Sequence, residues 1–133
     1  MLYFIRVNDE QFNRGIGEFN RGAFFECHDT LEDLWHGTRG VDRLFLQGLI
    51  QISVGFYHLG RRNYRGAASQ FTLGLGKLAN YRPSHRGLNI RDLTKEVVPW
   101  LEVADRAMMT GTCDVDESKF PKIKVIQNTI EGE

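Results

Sequence analysis

Residues 42–59 decide the fold: Asp42-Arg-Leu-Phe-Leu-Gln-Gly-Leu-Ile-Gln-Ile-Ser-Val-Gly-Phe-Tyr-His-Leu59. Leu44, Phe45, Leu46, Leu49, Ile50, Ile52, Val54, Phe56 and Tyr57 cover nearly the whole circumference of a helix. A helix that is apolar on every side belongs in the middle of a domain. The pattern predicts Asp42 as its cap and Leu59 in its last turn. Gly48 and Gly55, seven residues apart, share a face and let a neighbouring helix come close. Three polar residues interrupt the apolar surface. At about 100° per residue, Gln47, Gln51 and His58 lie within about 40° of one another and form a single stripe.

The flanking segments supply partners for this central helix. Asn8-Asp-Glu-Gln11 reads as a helix start, with Asn8 as cap and Gln11 at the capping-box position. Phe12, Ile16 and Phe19 follow at helical spacing, and Gly22 is a stop. A second helix is predicted from about Ala23 to Trp35 or His36, with Phe24, Cys27, Leu31, Leu34 and Trp35 as its apolar stripe. Gly60-Arg-Arg-Asn63 is a turn with Asn63 capping a fourth helix to about Tyr81. Ala67 and Gly74 form the small face of that helix, so helices three and four read as an antiparallel hairpin. Arg82–Gly87 is predicted to be a loop. A fifth helix should cover Ile90 to about Met109, with a kink or break at Pro99. Lys122–Ile126 fits a short edge strand or an extended arm lying on the bundle.

These elements predict an all-α protein: one compact bundle of about five helices over residues 1–110, with a central buried helix. Residues 111–133 would be an irregular, extended tail packing on it. A length of 133 residues suits one domain with one core. No apolar run approaches the roughly 18–20 residues of a membrane span, so a membrane partner is not expected. Met1–Val7 is too short for a secretory signal. Two cysteines, Cys27 and Cys113, make neither a disulfide framework nor a CxxC knuckle. A reducing, cytoplasmic setting is the expectation.

The formal net charge is zero, which excludes a uniformly basic nucleic-acid binder, but the charge is segregated. Residues 1–60 carry five Arg against eight Asp and Glu. Residues 61–100 carry eight Lys and Arg against Asp92 and Glu96 alone, and residues 101–133 are acidic again. Such a basic middle suits a solvated surface or an anionic partner. Nucleic acid is the less favoured partner, and a homo-oligomer stays open.

His28 and Glu32 stand one turn apart at the edge of the second helix's apolar stripe. An unpaired buried polar group costs about 1–3 kcal/mol. The cheapest packing therefore points His28 and Glu32 at the stripe of Gln47, Gln51 and His58. Three readings follow. The cluster is a structural network that sets helix register. It is a divalent-metal site, with His28, Glu32 and His58 as ligands. Or it is a metal-free ligand or acid–base site, with Glu32 and His58 as the catalytic pair. Cys27 reads as core, Cys113 as inactive, His36 and His85 as solvated, and Trp35 and Trp100 as core.

The stretch Phe19-Asn-Arg-Gly-Ala-Phe-Phe-Glu-Cys-His-Asp-Thr-Leu-Glu-Asp-Leu-Trp35 resembles the signature of a small all-helical family known as domain of unknown function three-zero-nine. Gln47-Gly-Leu-Ile-Gln51, Tyr57-His58, Asn63 and Arg65-Gly-Ala67 resemble that family's helix-hairpin motif. The resemblance covers about residues 10–80, and the chain departs from it at Asp29, where the family usually has Glu. It implies a helical bundle and brings no activity. It implies Glu26, His28, Asp29, Glu32, Trp35, Gln47, Gln51, His58 and Asn63 as the motif residues. Trp35 and Asn63 thereby join Gln47 and Gln51 as candidate ligand-binding residues, and Glu26 joins His28, Glu32 and His58 as a candidate metal ligand. The functional expectation is a His/Glu/Gln pocket for a small molecule or a divalent metal, with hydrolysis as its enzymatic form. The alternative is a non-catalytic interaction module using the basic segment 61–86.

Overall fold

The computed structural model describes the backbone of residues 2–126 and the side chains of residues 9–126. Five helices follow one another: α1 (Leu2–Asn20), α2 (Phe24–His36), α3 (Val41–Gly60), α4 (Tyr64–Leu78) and α5 (Ile90–Thr110). Each packs against the next along the chain. The connections among the first four are short, so neighbours run antiparallel. The central helix is where the apolar circumference placed it. Phe45, Leu46, Ile52, Phe56 and Leu59 of α3 are completely buried.

The α3–α4 hairpin owes its closeness to small residues. A Cβ on Gly55 would lie 2.5 Å from the Phe71 ring, and one on Gly74 would lie 2.9 Å from the Gly48 carbonyl oxygen. The glycines weaken both helices by roughly 1 kcal/mol each relative to Ala, and the contacts made across the interface hold them. Asn63 caps α4 as expected, its Oδ1 accepting the Gly66 N–H at 3.0 Å.

Five local expectations are corrected. α1 begins at Leu2, so Asn8 lies inside the helix and is not its start. Asn and Asp disfavour helix interiors by only fractions of a kcal/mol, too little to stop a helix already running. Asp42 lies in the first turn of α3, behind Gly40 in the cap position. Its Oδ1 lies 2.7 Å from His85 Nε2, and its Oδ2 lies 3.6 Å from Arg86 Nη1. His85 is therefore not fully solvated but half-buried, packed against the rings of Phe45 and Tyr81. The expected loop at 82–87 holds a tight hairpin, β1 (Ser84–His85) paired with β2 (Leu88–Asn89). Arg86 and Gly87 at its tip both have positive φ, 50° and 79°, the conformation that two-residue hairpin turns demand. Finally, α5 passes through Pro99 without a break. Pro99 faces solvent, where water can satisfy the carbonyl that loses its helical donor.

Beyond α5 the chain crosses the bundle as an extended arm. Phe120 is buried and packs its ring against Phe24, Phe56 and Trp100. Ile123 is buried as well, and Val125 makes an isolated antiparallel bridge to Leu88. The rest of the expected tail, 127–133, lies outside the described residues. Among the described residues no helix is long and apolar enough to cross a membrane.

Candidate functional site

The antiparallel pairing of α2 and α3 sets which residues meet. The Arg43 guanidinium lies 3.9 Å over the Trp35 ring at one end, and Ser53 Oγ donates to the Phe24 carbonyl at 2.8 Å at the other. Between these two contacts lies an open cleft of about 300 Å³. His28, Glu32 and Trp35 of α2 line it, with Gln47, Ile50, Gln51 and Val54 of α3 and Gln70 of α4. Five of the residues expected at the site, His28, Glu32, Trp35, Gln47 and Gln51, are thus brought together.

His28 is held between two carboxylates of its own helix. Its Nδ1 lies 3.2 Å from Asp29 Oδ1 and its Nε2 lies 3.7 Å from Glu32 Oε2. Asp29 is mostly exposed. Two other lining residues carry buried polar atoms without any hydrogen-bond partner: Trp35 Nε1, a donor, and Gln51 Oε1, an acceptor. Trp35 was expected to be core; it is half-buried, with its ring between the core and Arg43. Its backbone carbonyl accepts from Arg43 Nη1 at 3.1 Å.

His58, Asn63 and Glu26 are elsewhere. His58 shares the face of Gln51 but sits seven residues further along α3, about 10 Å along the axis. A helical wheel discards that axial distance, which is why the three polar residues read as one site. His58 Nδ1 lies 3.3 Å from Asn63 Nδ2, and the Asn63 carbonyl oxygen is taken up by the cap of α4. Burial holds His58 below the ordinary imidazole value. Glu26, two residues before His28, lines a separate cleft with Phe25, Tyr57, Arg61 and Glu117. The expected metal set of His28, Glu32, His58 and Glu26 is therefore not assembled. Among the described residues no group of three or more His, Cys, Asp or Glu side chains is placed to hold a metal ion.

Gln70 was not foreseen. It lies three residues after Ala67 and four before Gly74, on the small face of α4 that meets α3. A polar residue on a face chosen for close helix contact was the signal available. Cys27 is core, as its position on the apolar stripe implied. Burial pushes its thiol up to about 12, so no thiolate is available to it as a nucleophile near neutrality.

The arrangement offers one carboxylate, one imidazole, three side-chain amides and an indole N–H around an apolar floor of Ile50 and Val54. Amides present a donor and an acceptor on one flat group, which suits recognition of a small polar molecule more than hydrolysis. No curated protein matches the chain. The family model described as Domain of unknown function (DUF309) matches residues 12–70, the stretch that contains every residue lining the cleft. It is the family that the sequence resembles, and its model matches the chain over that stretch.

Proposed function

We propose that this chain is a small-ligand-binding helical protein whose cleft between α2, α3 and α4 takes an uncharged, multiply hydrogen-bonding molecule, such as a nucleobase, a sugar or an amide. The observation that carries the reading is the pair of unpartnered atoms in residues of one cleft, Trp35 Nε1 and Gln51 Oε1. Each unmet buried group costs about 1–3 kcal/mol. A ligand offering an acceptor to the indole and a donor to the amide recovers that cost. Gln47, Gln70 and Glu32 supply further contacts, and His28 between its two carboxylates is the group for proton transfer if the ligand is also turned over.

The test uses Trp35 as its own reporter in a Trp100→Phe chain, titrated with a panel of nucleobases, sugars and amides. Saturable change with one chemical class, lost in Gln47→Leu and Gln51→Leu, supports the proposal. No response to any class, or a response indifferent to both substitutions, overturns it. The rival interaction module is favoured by one observation: Arg61, Arg62 and Arg65 are exposed and have no acidic partner within 4 Å among the described residues. That reading predicts capture of an anionic partner that weakens with salt and with neutralisation of those arginines, and indifference to changes in the cleft.

A further inference from the structure

The chain from Arg61 to Arg91 contains seven Lys and Arg and no Asp or Glu. Part of this basic segment folds into a second cleft, of about 370 Å³, between the end of α4 and the start of α5. Leu75, Ala79 and Val98 give it an apolar lining, buried Thr94 adds a hydroxyl, and Arg82, Arg91 and Lys95 supply three cations. Arg91 and Lys95 stand one turn apart on the same face of α5. The acids of that stretch, Asp92 and Glu96, are also one turn apart but are engaged elsewhere. Lys124 of the C-terminal arm lies 3.0 Å from Glu96 Oε2 and 4.0 Å from Asp92 Oδ2. In the first turns of α5, Asp92 and Glu96 thus meet the arm, while Arg91 and Lys95 line the cleft beside α4.

None of the three cations has an acidic partner within 4 Å among the described residues. Arg82 spends only its Nε, donating to the Ala79 carbonyl at 3.3 Å, and keeps both terminal nitrogens free of protein partners. Three like charges around an apolar lining repel one another, and an anion between them relieves the repulsion. Arginine adds a planar fork that matches a carboxylate with two parallel hydrogen bonds. Val98 lines the cleft and is 42% exposed, a hydrophobic surface without a protein cover.

We propose that this cleft binds a small amphiphilic carboxylate, with its head among Arg82, Arg91 and Lys95 and its hydrocarbon or aromatic body on Leu75 and Val98. The site is separate from the cleft of Trp35 and Gln51, and either can stand without the other.

The experiment is calorimetric titration of the full chain with octanoate at low salt, beside acetate, octanol and a short oligothymidylate. Octanoate is expected to bind at one site, at least about tenfold more tightly than acetate or octanol. Arg91→Gln and Lys95→Gln should each weaken it by about fivefold or more, the worth of one charge-assisted contact. Lys122→Gln, an exposed cation outside the cleft, should leave it unchanged. Both cleft residues are exposed, so the variants should keep the wild-type circular dichroism; Arg82→Gln serves if one does not. Absence of saturable octanoate binding overturns the proposal, as does octanol binding equally well. Tighter binding of the oligothymidylate, lost in the same variants, overturns it too and assigns the surface to nucleic acid.

Discussion

The side-chain amide of Asn20 brackets the peptide of Ile123: Oδ1 accepts the Ile123 N–H at 2.7 Å and Nδ2 donates to the Ile123 carbonyl at 3.0 Å. The two residues are 103 positions apart, so one side chain at the end of α1 does the pairing that a strand would otherwise do for the arm. Asn20→Ala leaves a peptide without its partners in a partly buried place. A cost of about 1–3 kcal/mol follows, read as a lower urea midpoint. The loss should be local first, with faster hydrogen exchange at the Ile123 amide while α3 amides stay protected. Uniform loss of protection across the bundle would show that the arm is part of the cooperative core and not an added layer.

Gly55 admits the Phe71 ring to the α3 backbone, with 2.5 Å between the ring and the place a Cβ would take. Phe71 is completely buried and cannot swing out. Gly55→Ala should therefore destabilise by about 1–3 kcal/mol through overpacking, despite the higher helix propensity of Ala. Phe71→Leu in the same chain makes room. The double variant should be less destabilised than the sum of the two single ones. Strict additivity would mean that the helices shift apart and do not clash at this point.

The central helix, the α3–α4 hairpin and the Asn63 cap were legible because each rests on local chemistry: an apolar circumference, paired glycines, a side chain that reaches the next turn. Helical periodicity also placed Gln47 and Gln51 correctly on one face. It failed for His58, since angle around an axis says nothing about distance along it, and the antiparallel register of α2 fixes which level of α3 faces His28. That register is set by Ser53 with Phe24 and by Arg43 with Trp35, contacts between residues far apart in the chain. The 84–89 hairpin escaped because its turn uses Arg86 at positive φ, a residue that carries no turn signal. The arm's anchorage by Asn20 is likewise a long-range pairing without a local pattern.

Cys27 links stability to alkaline pH. Its thiol is buried beside Ser53 and raised to about 12 in the fold, against about 8.5 for an exposed cysteine. The native state therefore favours the neutral form. The stability this contributes is complete below about pH 8.5 and is lost as pH rises from there towards the folded value. Urea midpoints measured from pH 8 to 10.5 should fall in the wild type and fall less steeply in Cys27→Ala, although the Ala variant starts lower because it leaves a cavity. Parallel curves would remove Cys27 from the alkaline response and leave the tyrosines and lysines to explain it.

Gln51 separates a binding cleft from a structural network. In a network that exists to fix helix register, each polar member is satisfied by the others, and removing one strands its neighbours at about 1–3 kcal/mol. In a binding site the protein tolerates an unmet group that the ligand will meet. Gln51 Oε1 is buried and has no partner, so Gln51→Leu, close in size, removes a polar atom that gains nothing from the fold. The expected outcome is unchanged stability or a gain of about 1 kcal/mol, together with loss of the Trp35 fluorescence response to ligand. Gln47→Leu, one turn away on the same wall, should behave in the same direction. A stability loss beyond about 2 kcal/mol in Gln51→Leu would instead mean that its amide is paired in solution, and the cluster of His28, Glu32 and the glutamines would then be a device for holding α2 and α3 in register.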